Sequence, residues 1–252
     1  MRKLTKMLLL AGAVSAPGLM VSSAAKAEEA AAASPIAANV TLASEYVYRG
    51  ISQTREKLAL QGGFDYAHAS GLYAGVWGSN ISWLEDLGAG ASSSMEMDIY
   101  GGYKGKVSDD FSYDVGYLRY EYPGSYPAGF VSPNTDELYV AGTYKMFTLK
   151  YSHSISNLFG YADSKGSSYL DASASFDLGS GFSLGLHAGH QKIKNWSDYS
   201  YTDYKISLTK DFGGGLSVTG AYIDTNADDN LYTVKGTRIA DSRFVLSVTK
   251  AF

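Results

Sequence analysis

From residue 39 to the last residue, Phe252, apolar and polar side chains alternate with a period of two, in stretches separated by turn-forming residues. A strand sends successive side chains to opposite faces, so each stretch reads as a strand with one apolar and one polar face. The stretches are 39–49, 58–67, 72–80, 94–104, 111–120, 137–144, 147–156, 169–178, 182–191, 203–211, 216–224 and 242–252. The clearest is 94–104, where Met95, Met97, Ile99, Gly101 and Tyr103 alternate with Glu96, Asp98, Tyr100, Gly102 and Lys104. In 39–49 the apolar face carries Val40, Leu42, Tyr46 and Tyr48. In 72–80 both faces are apolar (Tyr73 and Trp77 on one, Leu72 and Val76 on the other), so the register stays open.

Twelve strands is an even number, and the connections divide them again. Those after every second strand are short (67–71, 105–110, 145–146, 179–181, 212–215), whereas the others are mostly long, notably 81–93, 121–136 and 225–241. Short turns at one end and long loops at the other predict an all-β fold: an up-and-down antiparallel transmembrane β-barrel with short periplasmic turns and longer extracellular loops. No stretch beyond the N-terminal leader has the ~18 apolar residues of a spanning helix. The 28 Gly, 21 Tyr and only 5 Pro suit half-polar strands with aromatic side chains at the interfaces. A soluble β-sandwich shares the alternation but has no reason to gather its long loops at one end.

The N-terminus reads as an export signal. Arg2, Lys3 and Lys6 precede an apolar run from Met7 to Met20, and Ala25-Lys26-Ala27 supplies the cleavage pattern. We therefore expect 1–27 to be a cleaved signal peptide, 28–38 a short periplasmic tail and 39–252 the barrel, destined for the bacterial outer membrane. With no Cys, neither a lipid-anchored cysteine nor a disulfide framework is available. Loss of Arg2, Lys3, Lys6 and Lys26 leaves 17 basic against 25 acidic residues, a formal charge of −8, which argues against a nucleic-acid partner.

With the apolar face toward lipid, the opposite face lines a lumen carrying Glu45, Arg49, Asp65, Glu96, Asp98, Lys104, Asp114, Glu137, Lys150, Asp171, Asp177, Asp203, Lys205 and Arg243. Charges cost several kcal/mol on the lipid face at the midplane, whereas a wet lumen accommodates them. Two readings are open: an acidic-leaning aqueous path for cations or neutral polar solutes, or salt-bridged plugs that hold a narrow barrel shut. Twelve strands lie between side-chain-filled eight-stranded barrels and open porins, so any pore is narrow. The loop 121–136, with Pro123, Pro127 and Pro133, either folds inward as a constriction or stays a stiff surface loop. At the C-terminus Phe244, Leu246, Val248 and Phe252 share one face, the pattern of a signal read by the barrel-assembly machinery; Lys250 departs from it and can snorkel to the interface.

No catalytic or cofactor motif survives inspection. Asp224-Thr225-Asn226-Ala227-Asp228 begins like a calcium loop, but Asp229 stands where Gly is needed and Lys235 where Glu is needed. His187 and His190 point to opposite faces of a strand, as do His153 and Ser154, so neither pair forms a site. No G-x-S-x-G or phosphate loop is present. We expect no enzyme activity, cofactor or metal; the expected partners are outer-membrane lipids, the assembly machinery and small polar solutes.

The stretch Glu45-Tyr-Val-Tyr-Arg-Gly-Ile-Ser-Gln-Thr54, the run from Leu60 to Trp83, Glu96-Met-Asp-Ile-Tyr-Gly-Gly-Tyr103, Tyr122-Pro-Gly124 and Glu137-Leu-Tyr139 together resemble the TorF-type porin family of proteobacteria. The resemblance implies an outer-membrane porin barrel without an assigned substrate, and it brings no site residues. The expected function is thus passive diffusion of small hydrophilic solutes. The alternatives are a closed barrel whose loops bind a surface partner and, third, a membrane-embedded lipid hydrolase.

Overall fold

The computed structural model describes residues 34–88 and 90–252, so the leader 1–27 lies outside the described residues. In chain order the elements are β1 (Ile36–Ala43), the two-residue β2 (Val47–Tyr48) and β3 (Ile51–Ser52), β4 (Ala59–Ala67), β5 (Leu72–Asn80) and the single-turn helix α1 (Trp83–Asp86). They continue with β6 (Met95–Lys106), β7 (Phe111–Glu121), β8 (Thr135–Tyr144), β9 (Phe147–Ser154), β10 (Ser168–Gly179) and β11 (Phe182–Lys192). The last are β12 (Tyr201–Asp211), β13 (Leu216–Thr225), the short β14 (Thr233–Val234) and β15 (Thr237–Arg238), and β16 (Arg243–Ala251).

The twelve long strands form one closed antiparallel barrel in which β1 joins β16. Closure leaves no unpaired strand edge, the condition for crossing a bilayer with strands. The seam runs from Asn39↔Ala251 to Ala43↔Ser247, and the terminal Phe252 extends it by donating its N–H to Ala38 O at 2.9 Å. The expected up-and-down barrel is the observed fold, with every short connection at one end (the turn end) and the long ones at the other (the loop end).

The outward face is an apolar band: Leu60, Phe64, Val76, Ile99, Val140, Leu149, Leu170, Ile206 and Phe244 are all exposed. So large a continuous apolar surface marks contact with an apolar phase. Leu72 and Val76 point outward while Tyr73 and Trp77 are buried inside, which settles the register left open by the sequence.

Glycine abundance has a steric cause inside the wall. Tyr100 lies across Gly75, its cross-strand partner, where an added Cβ would stand 2.4 Å from the ring. Tyr73 lies in the same way across Gly102, Tyr139 across Gly116, and the Tyr169 hydroxyl above Gly189. Each pair lets a large ring lie flat along the lumen wall, which a Cβ on the facing strand would forbid.

One expected strand needs correction. The first does not run to Arg49: it occupies Ile36–Ala43, starting inside the stretch read as a tail. At Ser44 the backbone leaves the wall, with Ser44 N–H bonded to Leu246 O at 2.8 Å and Leu246 N–H bonded back to Ser44 Oγ at 3.1 Å. The chain then turns inward, so Tyr46 and Tyr48, whose alternation pointed to lipid, are 2% and 8% exposed within the barrel.

Candidate functional site: the barrel lumen

The segment 44–58 is a hairpin folded into the lumen. β2 and β3 pair as Val47↔Ser52 and Tyr48↔Ile51, joined by the two-residue turn Arg49-Gly50. Both turn residues have positive φ (45° and 81°), as a tight hairpin turn demands. A non-glycine residue held there costs roughly 1–3 kcal/mol and persists where surrounding contacts fix it.

Those contacts come from the opposite wall. Arg49 donates Nη1 to Glu137 Oε1 at 3.1 Å and Nη2 to Glu137 Oε2 at 2.8 Å, a two-pronged bond to β8. Nη1 also reaches Gln191 Oε1 on β11 at 2.7 Å, and the guanidinium sits 4.2 Å from the centre of the Tyr169 ring on β10. At Gly50 an added Cβ would stand 2.7 Å from Asp203 Cβ, so the tip is pressed against β12. The hairpin therefore bridges the lumen from wall to wall.

Its base and flanks are held as firmly. Arg243 Nη1 donates to Glu45 Oε1 at 2.7 Å, and the Ser52 hydroxyl donates to the same oxygen. Tyr46 donates its hydroxyl to Glu96 at 2.8 Å and packs edge-on against Trp77. Tyr48 shares a hydroxyl–hydroxyl bond of 2.7 Å with Tyr120 and meets the Phe159 ring. Asp98 lies fully buried on β6, between Trp77 and Tyr120 on the neighbouring strands.

The other lumen residues stand on the wall. Asp65 accepts from Tyr100 at 2.7 Å, and Asp114 accepts from Tyr73 at 2.6 Å, whose hydroxyl also meets that of Tyr139. Lys104 and Lys150 lie over the Tyr73 and Tyr139 rings at 4.9 and 4.1 Å. Asp171 and Asp203 clamp His187 from either side, at 2.9 Å from Nδ1 and 2.8 Å from Nε2. A neutral imidazole offers only one N–H, so this arrangement suits the doubly protonated ring. Lys205 follows Asp203 on the inward face of β12, beside His187, its cross-strand partner. Asp177 sits apart, at the turn-end rim, where it accepts the Gly179 N–H at 2.8 Å.

Of the predicted lumen residues, Glu45 and Arg49 thus stand on the hairpin and not on the wall. The structure gathers Arg49 with Glu137, Glu45 with Arg243, and Asp171 with Asp203. Sequence reasoning missed Gln191, Tyr120, Tyr169 and His187 as members of these groups; the available signal was their inward parity beside already chosen charges. The C-terminal set Phe244, Leu246, Val248 and Phe252 faces outward, and Lys250 bends back to the Gly214 carbonyl beneath Phe252. The loop 121–136 sends Tyr122 into the same aromatic group, edge-on to Trp83, while Ser125 is tied to Ser92 of the neighbouring loop.

Toward the turn end the lumen changes character. A cavity there is lined by Ser175, Ser183, Gly185, Ser207 and Thr209 together with His187 and Lys205. Further round the wall, hydroxyls pair across strands as Thr209–Thr219 and Thr41–Thr249, each at 2.8 Å.

Comparison with known proteins agrees with this architecture. The fold is similar to a KdgM porin (TM-score 0.57, 10% identity, covering 86% of this chain and 99% of that one). It is also similar to a NanC porin (TM-score 0.54, 13% identity, 85% and 98%). At such identities the likeness speaks for the fold. No curated protein matches the sequence. The matching family does not carry the TorF name: residues 27–252 match the family described as "Bacterial protein of unknown function (Gcw_chp)", and the chain belongs to that family.

Proposed function

We propose that this chain is an outer-membrane porin whose narrow, acidic-leaning lumen passes small hydrophilic solutes, with the inward hairpin 44–58 as its constriction. The observation that carries the reading is the division of one closed barrel into an apolar outer face and a charged, hydroxyl-rich inner face. A purely structural barrel does not need so many ionisable groups indoors, because each is costly to desolvate. The two barrels compared above are porins by description, one of them also recorded in complex with disordered oligogalacturonate, which is consistent with a transport role here. In this reading the turn end faces the periplasm and the loop end the exterior, after cleavage before Glu28 and assembly through the terminal strand. Carboxylates outnumber bases along the path, so cations and neutral polar solutes pass in preference to anions.

Planar-bilayer recording of the refolded protein tests this. We expect small conductance steps and a reversal potential on the cation-selective side in a salt gradient. Silence in both the intact protein and a variant lacking the hairpin would sink the porin reading while leaving the barrel intact.

The Arg49–Glu137 bridge supports a second reading, a closed barrel whose loops bind a surface partner. It predicts silence of the intact protein, and loop-directed binding that survives Glu96→Gln with Asp98→Asn.

A further inference from the structure

The outward rim at the loop end is not electrically uniform. On β7 and β8, Arg119 is neutralised by Glu121 at 2.7 Å and Asp136 at 3.0 Å. On β13 the exposed rim residue is Asp224. Between them, β9 to β11 present His153, His190 and Lys192, and Lys194 follows in the next loop, all exposed. His153 and Lys192 flank Ser168 as its two cross-strand partners. Lys194 and His153 both come within 4.0 Å of where a Cβ on Gly166 would stand. Among the described residues neither lysine forms an ion pair with a carboxylate; the nearest acids in sequence, Asp163 and Asp198, are exposed in the adjoining loops.

The turn end handles its cations differently. Lys145 lies over Tyr144, Lys210 over Phe182 and Lys250 over Phe252, and the last two also bond backbone carbonyls. Those ammonium groups are already engaged. The loop-end group is placed directly above the apolar band of Leu149, Leu170, Leu186 and Tyr204, the level at which lipid headgroups meet a barrel. Above it stands a ring cluster in which Trp196 meets Tyr161 and Tyr199 edge-on, with Trp196 itself exposed.

We propose that this sector, Lys192, Lys194, His153 and His190, binds the phosphates of a saccharolipid in the outer leaflet. The Lys192 and Lys194 ammonium groups at headgroup level attract phosphate, while His153 and His190, whose Nδ1 atoms meet Tyr151 and Thr202, turn their other ring nitrogen to the same level; acyl chains continue down the apolar band, and the exposed indole offers a face for a sugar ring. This rests on the outer-membrane orientation given above.

Retention of added lipid by the purified full-length barrel in detergent, read by native mass spectrometry, tests the inference. The probes are a bisphosphorylated glucosamine lipid, the same lipid after phosphatase treatment, and phosphatidylglycerol. The intact barrel is expected to retain the bisphosphorylated lipid, and to hold the other two about ten-fold less well or worse. Lys192→Gln with Lys194→Gln is expected to lose retention on the same scale, Lys192→Arg with Lys194→Arg to keep it, and Lys210→Gln with Lys250→Gln to leave it unchanged. Heat-shifted gel mobility reports whether each variant is still a barrel. Undiminished retention in the folded Gln pair, or equal retention of phosphatidylglycerol, would overturn the proposal. Conductance is a separate readout: its absence faults the porin reading and not this one.

Discussion

The loop end of the lumen and the β10 to β12 side of its turn end are built on opposite principles. At the loop end large side chains meet in mutually satisfied pairs: Arg49 with Glu137, Arg243 with Glu45, Tyr46 with Glu96 and Tyr48 with Tyr120. At the turn end of β10 to β12 small side chains leave space: Ser175, Ser183, Gly185, Ser207 and Thr209 border a cavity that His187 and Lys205 also line, and threonines pair along the wall, whereas on β5 to β7 Tyr73, Lys104 and Asp114 stay paired. Both regions belong to one barrel wall, so the difference arises from what each strand carries inward and from the hairpin that only one region receives. A polar interior alone therefore does not make a path; the size of the inward residues and the origin of the plug decide it.

The sharpest way to break this contrast is to remove the plug. Replacing residues 46–53 by a short Gly–Ser link takes away the wall-to-wall bridge, and single-channel conductance is expected to rise several-fold. Arg49→Ala acts through the same bridge. It leaves Glu137, which is 1% exposed, as an unpaired buried charge, a change worth roughly 3–5 kcal/mol. The hairpin tip should then detach, giving larger and noisier currents. Replacing both partners, Arg49→Met with Glu137→Met, leaves no orphan charge and is expected to keep the plug shut. If the link variant and Arg49→Ala both conduct like the parent, the hairpin does not limit the path.

A smaller effect probes the wall on which both regions depend. Gly189→Ala would place a methyl group into the Tyr169 hydroxyl, which itself donates to Asp203 at 2.9 Å. Overpacking of this kind costs about 1–3 kcal/mol. The temperature at which the barrel loses its folded gel mobility should fall, with conductance little changed. A normal transition temperature would mean that the ring can move aside freely.

The contrast also marks where sequence reading reached its limit. Eleven of the twelve expected strands match to within two residues at most ends, because alternation at a period of two survives any local packing detail. The first failed at its far end for a physical reason. Beyond Ala43 the chain keeps alternating, Glu45, Val47 and Arg49 against Tyr46 and Tyr48, so the hairpin imitates a continued strand. Inside a barrel both faces of a plug are covered, and alternation no longer says which face meets lipid. The missed cue was Arg49-Gly50, a turn pair between two very short strands. Charge parity placed Glu96, Asp98, Asp114, Glu137, Asp171 and Asp203 on the inward face, but partners far apart in sequence, such as Arg49 with Glu137, have no local signature.

The smallest expected effect lies beyond the apolar band, where the loop end is laced together. Asp86, at the end of α1, bonds Arg55 of the hairpin segment at 3.3 Å and Lys235 of the last long loop at 3.1 Å, and accepts the Ser82 hydroxyl at 2.7 Å. Burial pushes this carboxyl up, but the Ser82 hydroxyl, the Lys235 ammonium and the Arg55 guanidinium outweigh it and hold the group below the ordinary aspartate value of 3.8. A depressed value means that the tie is complete above pH 3.8 and fades as pH falls through the lowered value. Lys235 is exposed and Arg55 half-buried, which limits each pair to about 1 kcal/mol, so acid should loosen the outer attachment of the hairpin. Conductance is expected to grow noisier only below about pH 4, and Asp86→Asn should show that noise at neutral pH and lose its acid dependence. An acid response of equal size in Asp86→Asn would shift the explanation from the laced loops to the buried lumen, and with it the place where the hairpin is held.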